Sequence, residues 1–307
     1  MPKWLLKLTG DPRRNATFSL SQPIEFSYQN FTVPACEACN ATGAILESSC
    51  RPVVEKLLCR DLITADEGAI LLDWADKVRI GLWLAGLMLG KNPAGIEPHF
   101  HINIRTGEKD RILYLMDTTQ QTKALRFHPI DDPIFHHAPQ FGFLQINHIC
   151  FAMLSGLGVV AGTLGLQRMI MEHFVGNFRN VAATMDENSK PGVRRNWPVS
   201  TSHATMLAQA VQIAEDEHPV AAESPGDRAR LVRSGIFIQS AGGQPELFGN
   251  YPLRVLPPAF TTERKMLLCN QRLWLRLRNF VVNSIPSKDP EMRTLKRNLN
   301  KLTIGNN

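Results

Sequence analysis

The first 40 residues alternate between apolar and polar positions in short runs that are typical of β-strands. Three runs have this pattern, at 17–20, 24–28 and 31–33, and proline, asparagine and serine separate them. Because those residues favour turns, the segment predicts a small β-structure at the start of the chain.

The following segment has apolar residues at the three- and four-residue spacing of helices. We expect two helices, at 42–50 and 52–60, because Pro52 would remove a hydrogen bond from a helix interior and fits better in a first turn. A longer helix begins after Thr64, whose hydroxyl forms a capping box with a glutamate three residues later, and ends at Gly90.

Strand patterns dominate the middle of the chain, with predicted strands at 99–105, 111–116, 123–128 and 141–154. Residues 149–166 carry no charged side chain over eighteen positions, which is the lower limit for a membrane-spanning helix. Four glycines interrupt this stretch, so we interpret it as a buried strand that leads into a glycine-rich loop or a small-residue helix. We therefore expect no membrane partner.

The last third of the chain follows a polar segment at 184–200, which is predicted to be an exposed loop or hinge. Beyond it, the pattern predicts a helix at 202–216 and a strand at 235–240. Two terminal helices are predicted at 262–283 and 290–302.

Composition is consistent with a folded α+β protein that has a substantial core. Apolar residues make up 44% of the 307 positions and charged residues 20%, which excludes wholesale disorder. Glycine and proline show no period and six residues are cysteine, so collagen-like, coiled-coil and disulfide-scaffold architectures are excluded as well. The opening residues do not have the pattern of a signal peptide, so we expect a cytoplasmic protein with reduced cysteines.

Positive charge is concentrated towards the C-terminus. The whole chain has a net charge of +6, whereas residues 264–301 carry ten lysines or arginines and two acidic residues. A basic helical segment on a nearly neutral body is typical of proteins that bind polyanions, and we expect DNA before RNA. The alternative is an ordinary solvated helix face. The candidate nucleic-acid-binding residues are Arg272, Arg276, Arg293, Lys296 and Arg297.

A C-x-x-C motif is the clearest chemical signal in the chain. Cys36 and Cys39 follow a strand-like run, and two thiolates at this spacing can bind one Zn²⁺ ion from a tight turn. Structural zinc has four ligands, so this pair supplies half a site. A redox role is less favoured, because no βαβ pattern surrounds the motif. The remaining cysteines are interpreted as small core residues: Cys50, Cys59, Cys150 and Cys269.

The order of motifs around this pair resembles that of the HNH endonuclease-like proteins of bacteria. The resemblance covers residues 2–90 and depends on the order and spacing of several short pieces. The matching residues are Pro2, Trp4 and Leu5, then Val33 and Pro34, then Cys36, Cys39 and Asn40, then Leu46 and Glu47, and finally Leu72, Asp73, Trp74, Ala75 and Lys77.

In that family two C-x-x-C knuckles bind a structural zinc, and a histidine just before the Pro-x-Trp-Leu segment is the general base. The resemblance therefore implies that Cys36 and Cys39 are zinc ligands and that Asn40 helps to hold a catalytic Mg²⁺ ion. The histidine and the first knuckle would precede Pro2, so we expect this form of the chain to be inactive as a nuclease. The implied function is metal-dependent cleavage of nucleic acid, and the alternative is a non-catalytic nucleic-acid-binding or assembly protein.

The resemblance over residues 2–90, together with the strand, loop and charge patterns beyond it, gives the predicted division of the chain. Residues 1–92 would form a partial HNH-like ββα zinc-finger region with packing helices, and 93–183 would form a β-rich domain. The loop or hinge at 184–200 would lead into a mixed region, 201–307, that ends in the basic helices.

A second alternative is a hydrolase with a histidine-based metal site. His99 and His101 alternate on a predicted strand, so their imidazoles would point to the same face. Paired histidines in a proline-flanked loop are more often surface residues, and that interpretation is favoured over a metal site. The further candidates in the loop are Asp131, Asp132, His136 and His137.

Tryptophans offer candidates for stacking on nucleic-acid bases. Trp74 and Trp83 lie nine residues apart on one predicted helix and are interpreted as core residues. Trp197 follows two arginines in the exposed loop and is the better stacking candidate, although a loop anchor is the favoured interpretation.

Overall fold

The structure is a computed structural model of the chain and shows a mixed α+β fold, as the sequence predicts. In the part of the chain that it describes, the helices are α1 (Lys3–Thr9), α2 (Glu37–Leu58), α3 (Ala65–Leu89) and α4 (Glu263–Ser284). The described residues are 3–10, 15–19, 23–27, 36–89, 102, 106–107, 110–120, 123–128, 141–156, 160, 168–175, 178–185, 204–213, 231–239, 243, 246–255, 258–260 and 262–284.

Strands form one large sheet and two separate hairpins within these residues. The strands are β1 (Asn15–Ser19), β2 (Pro23–Ser27), β3 (Asp110–Thr118), β4 (Leu125–His128), β5 (Phe141–Ile146), β6 (Ile149–Gly156), β7 (Arg168–Val175), β8 (Phe178–Met185), β9 (Thr205–Ile213), β10 (Leu231–Gln239), β11 (Glu246–Leu247) and β12 (Pro258–Phe260).

The described part of the large sheet has the order β11-β10-β9-β3-β6-β5-β4, and neighbouring strands along this order are antiparallel. Strand β12 pairs in parallel with the end of β3, beyond the part of β3 that pairs with β9. The separate hairpins are β1–β2 and β7–β8.

Strand β3 lies at the centre of this sheet and is buried along its whole length. Successive side chains of a strand point to opposite faces. Leu113 and Leu115 therefore pack into one apolar cluster with α2 and α3, while Tyr114 and Met116 pack into a second cluster with α4. The sheet is thus covered on both faces, by α2 and α3 on one side and by α4 on the other.

Helix α2 is continuous through Pro52, so the predicted division into helices at 42–50 and 52–60 was wrong. Pro52 is exposed, and the Ser48 carbonyl that it leaves without an amide donor belongs to an exposed residue. The penalty for the proline is offset by the apolar stripe that the helix buries. The stripe consists of Cys50, Val53, Val54 and Leu57.

The predicted helix at 202–216 was also wrong, because Thr205–Ile213 forms strand β9. This strand pairs with β3 on one side and β10 on the other. Its alanine, methionine, leucine and glutamine residues are good helix formers, but burial between two strands overrides that local preference.

One predicted strand, at 141–154, is a hairpin of two strands, β5 and β6. Asn147 and His148 form its turn, and Asn147 has a positive φ of 52°. Asparagine tolerates this left-handed conformation better than most residues, which explains why the chain reverses here. The first eight residues of the uncharged stretch at 149–166 are strand β6.

Several other predictions are confirmed. The runs at 17–20 and 24–28 overlap β1 and β2, and the helix predicted at 262–283 matches α4. The capping box is formed, since Thr64 N–H donates to Glu67 Oε2 at 2.9 Å and Glu67 N–H donates to Thr64 Oγ1 at 3.3 Å. Among the described residues, no helix has the length and apolar character needed to cross a membrane. The predictions at 31–33, 184–200 and 290–302 fall outside the described residues.

Candidate metal centre and nucleic-acid interface

The C-x-x-C motif occupies the first turn of α2. Cys36 is the N-cap, with an extended backbone at φ −68° and ψ 158°, and Glu37 is the first helical residue. Cys36 Sγ accepts the N–H of Cys39 at 3.3 Å, and the Cys36 carbonyl accepts the N–H of Asn40 at 2.9 Å. The sulfur therefore satisfies one of the amide donors that every helix start leaves without a partner in the helix.

Both sulfur-bearing residues of the motif are accessible to solvent. Cys36 is exposed and Cys39 is partly exposed, whereas Cys50 and Cys150 are completely buried. Asn40 is exposed on the same turn of the helix. The structure thus brings the three predicted site residues together at one end of α2.

The pKa values of the two thiols in the motif are shifted in opposite directions. Hydrogen bonds from the side chain and then from the N–H of Cys39 lower the pKa of Cys36 below its ordinary value. The shared side-chain hydrogen bond raises the pKa of Cys39, and burial adds to the increase. Cys36 is therefore the thiol that ionises first, and thiolate is the form that binds metals and attacks electrophiles.

The two cysteine sulfurs are donors that are best suited to bind a soft metal ion. Two cysteine sulfurs on one turn can supply two of the four positions of tetrahedral Zn²⁺. Within the described ranges, no group of three or more histidine, cysteine, aspartate or glutamate residues could hold a metal ion. The residues present therefore fit half of a zinc site.

An ion pair fixes the end of α2 that carries the motif. Lys77 of α3 donates to Glu47 and to the Gly43 carbonyl of α2, the latter at 3.0 Å. Lys77 and Glu47 are both about three-quarters shielded from solvent. The bridge therefore holds the N-terminal half of α2 against α3.

The other cysteines lie away from the motif. Cys50 and Cys150 are buried, as predicted, and burial raises the pKa of each well above its ordinary value. Cys269 of α4 is partly buried against the second apolar cluster. Cys59 is exposed at the C-cap of α2, so its prediction as a core residue was wrong. The helix ends there and its apolar stripe ends with it.

The basic candidates on α4 lie on the side of the helix away from the core. Arg272 and Arg276 are exposed and one helical turn apart. Met266, Asn270 and Leu273 form the buried stripe that faces the sheet. Two more basic residues, Arg264 and Lys265, are exposed near the start of the helix. Arg293, Lys296 and Arg297 lie outside the described residues.

A buried charge network between α3 and the sheet escaped the sequence analysis. Arg111 of β3 pairs with Asp73 at 2.5 Å and lies 3.7 Å from Asp76. Asp76 also pairs with Arg79 at 2.8 Å. Asp73 accepts a further hydrogen bond from Arg233 of β10 at 3.0 Å. Charged residues spread over the sequence gave no local pattern from which this network could be predicted.

A second buried polar cluster joins the end of α2 to the sheet. Arg60 has a positive φ of 59°, and its guanidinium pairs with Asp117 Oδ2 at 2.6 Å. His148 Nε2 lies 3.8 Å from Asp117 Oδ1 and has no hydrogen-bond partner among the described residues. Burial is the main cause that lowers the pKa of His148. The negative charge of Asp117 opposes this effect, and the positive charge of Arg60 lowers the pKa further.

The aromatic predictions have mixed outcomes. Trp74 is completely buried, as predicted, and contacts the rings of Trp4 and Phe151 at centroid distances of 6.2 Å and 5.8 Å. Trp83 is partly buried. Trp197 lies outside the described residues. The same is true of the hydrolase candidates His99, His101, Asp131, Asp132, His136 and His137.

The chain was compared with protein-family models, with curated proteins and with solved structures, and it matched none of them.

Proposed function

We propose that this chain carries part of an HNH-type, metal-dependent nucleic-acid endonuclease, in which Cys36 and Cys39 form one knuckle of a structural zinc site. The observation that carries the proposal is the position of this cysteine pair. Cys36 is exposed and Cys39 is partly exposed at the first turn of α2, and α2 follows the antiparallel β1–β2 hairpin in the chain. Hairpin followed by helix is the element order that the resemblance implies.

A zinc cross-link would also have a physical role in this unit. A two-stranded hairpin gains only marginal stability from its own pairing, and β1–β2 pairs as a separate two-stranded sheet that contacts the large sheet through β4. Zinc bound by thiolates contributes directly to the folding free energy of such small units. The pair therefore supports a structural role for zinc, with Asn40 placed on the same helical turn for the metal-dependent chemistry.

The proposed division of roles follows the resemblance. In the resemblance, the general base and the other zinc knuckle come earlier than the Pro2–Leu5 segment, and the described residues match the later part of the unit. A bound divalent cation would stabilise negative charge on the phosphate during cleavage. Asn40 is exposed and supplies an amide oxygen of the kind that binds Mg²⁺.

The basic face of α4 supports nucleic acid as the partner. Arg272 and Arg276 extend from the surface opposite the buried stripe, so both can approach a phosphate backbone without disturbing the core. Contacts of this kind bind DNA largely without regard to sequence. This surface also supports the second candidate function, a non-catalytic nucleic-acid-binding protein.

Reading the coding frame upstream of Met1 distinguishes these two candidates. A C-x-x-C motif followed by Glu-His or Asp-His in frame supports the endonuclease, and a stop codon immediately upstream supports the binding protein. Where the motif is found, the extended protein should cut plasmid DNA in the presence of Mg²⁺. Asn40→Ala should abolish cutting, whereas Cys59→Ser, on the same helix, should leave it unchanged. An extended protein that folds and does not cut DNA would refute the proposal.

A further inference from the structure

The cysteine pair on α2 has an arrangement that suits a second kind of chemistry. Cys36 Sγ accepts the Cys39 N–H at 3.3 Å, which holds the Cys36 sulfur beside the backbone of Cys39. Both residues can be reached from solvent, because Cys36 is exposed and Cys39 is partly exposed. We infer that Cys36 and Cys39 form a reversible dithiol–disulfide pair that low-molecular-weight disulfides, such as oxidised glutathione, convert into an intramolecular disulfide bond.

Other cysteine pairings are disfavoured by distance or burial. Cys59 lies at the opposite end of the 22-residue helix. At about 1.5 Å per residue it is on the order of 33 Å from Cys36. Cys50 and Cys150 are completely buried, where a dissolved disulfide cannot reach them. A mixed disulfide formed on Cys36 can therefore be resolved rapidly within the C-x-x-C motif, where a second thiol lies three residues away.

The reaction takes place in two thiol–disulfide exchanges. The Cys36 thiolate attacks one sulfur of oxidised glutathione, forms a mixed disulfide and releases one glutathione thiolate. Cys39 then loses its proton to solvent and attacks the Cys36 sulfur, which releases the second glutathione thiolate. The two cysteines lose two electrons in total, and glutathione gains them as two molecules of its reduced form. Dithiothreitol reverses the change by the same exchanges.

Closure of the disulfide would regulate the zinc knuckle, and in this respect the inference rests on the proposed function. A disulfide has no thiolate to donate, so the oxidised pair cannot bind Zn²⁺. The redox reaction itself needs no metal and no nucleic acid. Oxidation and zinc binding can therefore be measured separately on the same protein.

The test uses the full chain, freed of metal with a chelator and incubated in glutathione redox buffers. Thiols are counted in denaturant, and the modified peptides are identified by mass spectrometry. We expect the wild-type thiol count to fall from six to four, with a disulfide between Cys36 and Cys39 and full recovery in dithiothreitol. Cys39→Ser should retain glutathione on Cys36, because the resolving thiol has been removed. Its circular dichroism spectrum and melting temperature establish that it is folded.

Cys59→Ser is the matched control, because Cys59 is an exposed cysteine of the same helix without a second cysteine one turn away. This variant should form the Cys36–Cys39 disulfide as the wild type does. A wild-type chain that keeps both thiols, or that retains glutathione on Cys36, would overturn the inference. If the reduced pair binds no zinc but closes the disulfide, the inference holds and the proposed function fails. If the reduced pair binds zinc but never closes the disulfide, the inference fails and the proposed function holds.

Discussion

Arg111 of β3 and Asp73 of α3 join the sheet to the helix layer, with Arg111 Nη1 donating to Asp73 Oδ1 at 2.5 Å. The arginine side chain is 2% exposed, so its charge depends on protein partners rather than on water. Gln209 Oε1 accepts two more hydrogen bonds from the same guanidinium, at 3.1 Å and 2.6 Å. The strand and helix are therefore held in register by a buried charge as well as by apolar packing.

Asp73→Asn should destabilise the protein by about 3 kcal/mol, because it leaves a buried guanidinium without its closest negative partner. The measurement is the free energy of unfolding from urea denaturation. Arg51→Ala is the control, since Arg51 forms an exposed ion pair with Glu55 one turn away on α2 and should cost about 0.5 kcal/mol. Equal effects of the two variants would contradict a structural role for the buried charge.

Pro52→Ala should stabilise the protein by about 1–3 kcal/mol, because it restores an amide donor for the Ser48 carbonyl inside a continuous helix. Pro52 is exposed, so the change removes no core contact. Urea denaturation measures the effect, with the exposed neighbour Ser48→Ala as a control that should change stability by about 0.5 kcal/mol or less. A destabilised Pro52→Ala protein would indicate that α2 is not continuous through this position.

His148 should make the protein less stable in mild acid. Burial lowers the pKa of His148 in the folded state, so the unfolded chain binds a proton more readily than the folded one. Stability is therefore complete above the ordinary histidine pKa and is lost as the pH falls through the folded value. The slope due to one group is at most about 1.4 kcal/mol per pH unit.

His148→Gln should remove this contribution, because glutamine does not titrate. The measurement is the unfolding free energy of both proteins between pH 7.5 and pH 5, where carboxylates contribute less. The wild-type curve should fall more steeply with acidification than that of the variant. Parallel curves would show that His148 is not the group responsible.

The double variant Arg272→Ala/Arg276→Ala should weaken DNA binding and reduce its dependence on salt. Each phosphate contact that is lost should lower the slope of log affinity against log salt by about 1. Fluorescence anisotropy with a labelled duplex over a range of salt concentrations measures both quantities. Arg51→Ala, which removes an exposed arginine from α2, should leave them unchanged.

A larger variant tests the whole predicted basic surface by also neutralising Arg293, Lys296 and Arg297. It should bind DNA more weakly than the double variant, because more phosphate contacts are removed. Unchanged binding after all five substitutions would contradict the nucleic-acid role of this segment.

Local chemistry was predicted well wherever a few neighbouring residues determine the structure. The capping box at Thr64 and Glu67 depends on one hydroxyl, one carboxylate and two amides, and all of them lie within one turn. The positions of strands β1 and β2 and the burial of Trp74 follow from apolar spacing alone. The cysteine pair was also identified from sequence, although its position as the start of a long helix was not.

The errors arose where distant segments determine the structure. Thr205–Ile213 has residues that favour a helix, but pairing with β3 and β10 makes it a strand. Pro52 suggested a helix boundary, and packing of α2 overrides it. The network around Arg111 depends on β3, α3 and β9 meeting, which no local pattern encodes.

Zinc content is the measurement that tests the central claim most directly. A structural zinc ion needs four ligands and the C-x-x-C motif supplies two of them, so the purified 307-residue chain should bind no more than about one zinc ion per two chains. Cys36→Ser/Cys39→Ser should abolish that binding, whereas Cys59→Ser should preserve it. One tightly held zinc in each chain, or zinc that remains after Cys36 and Cys39 are replaced, would contradict the account.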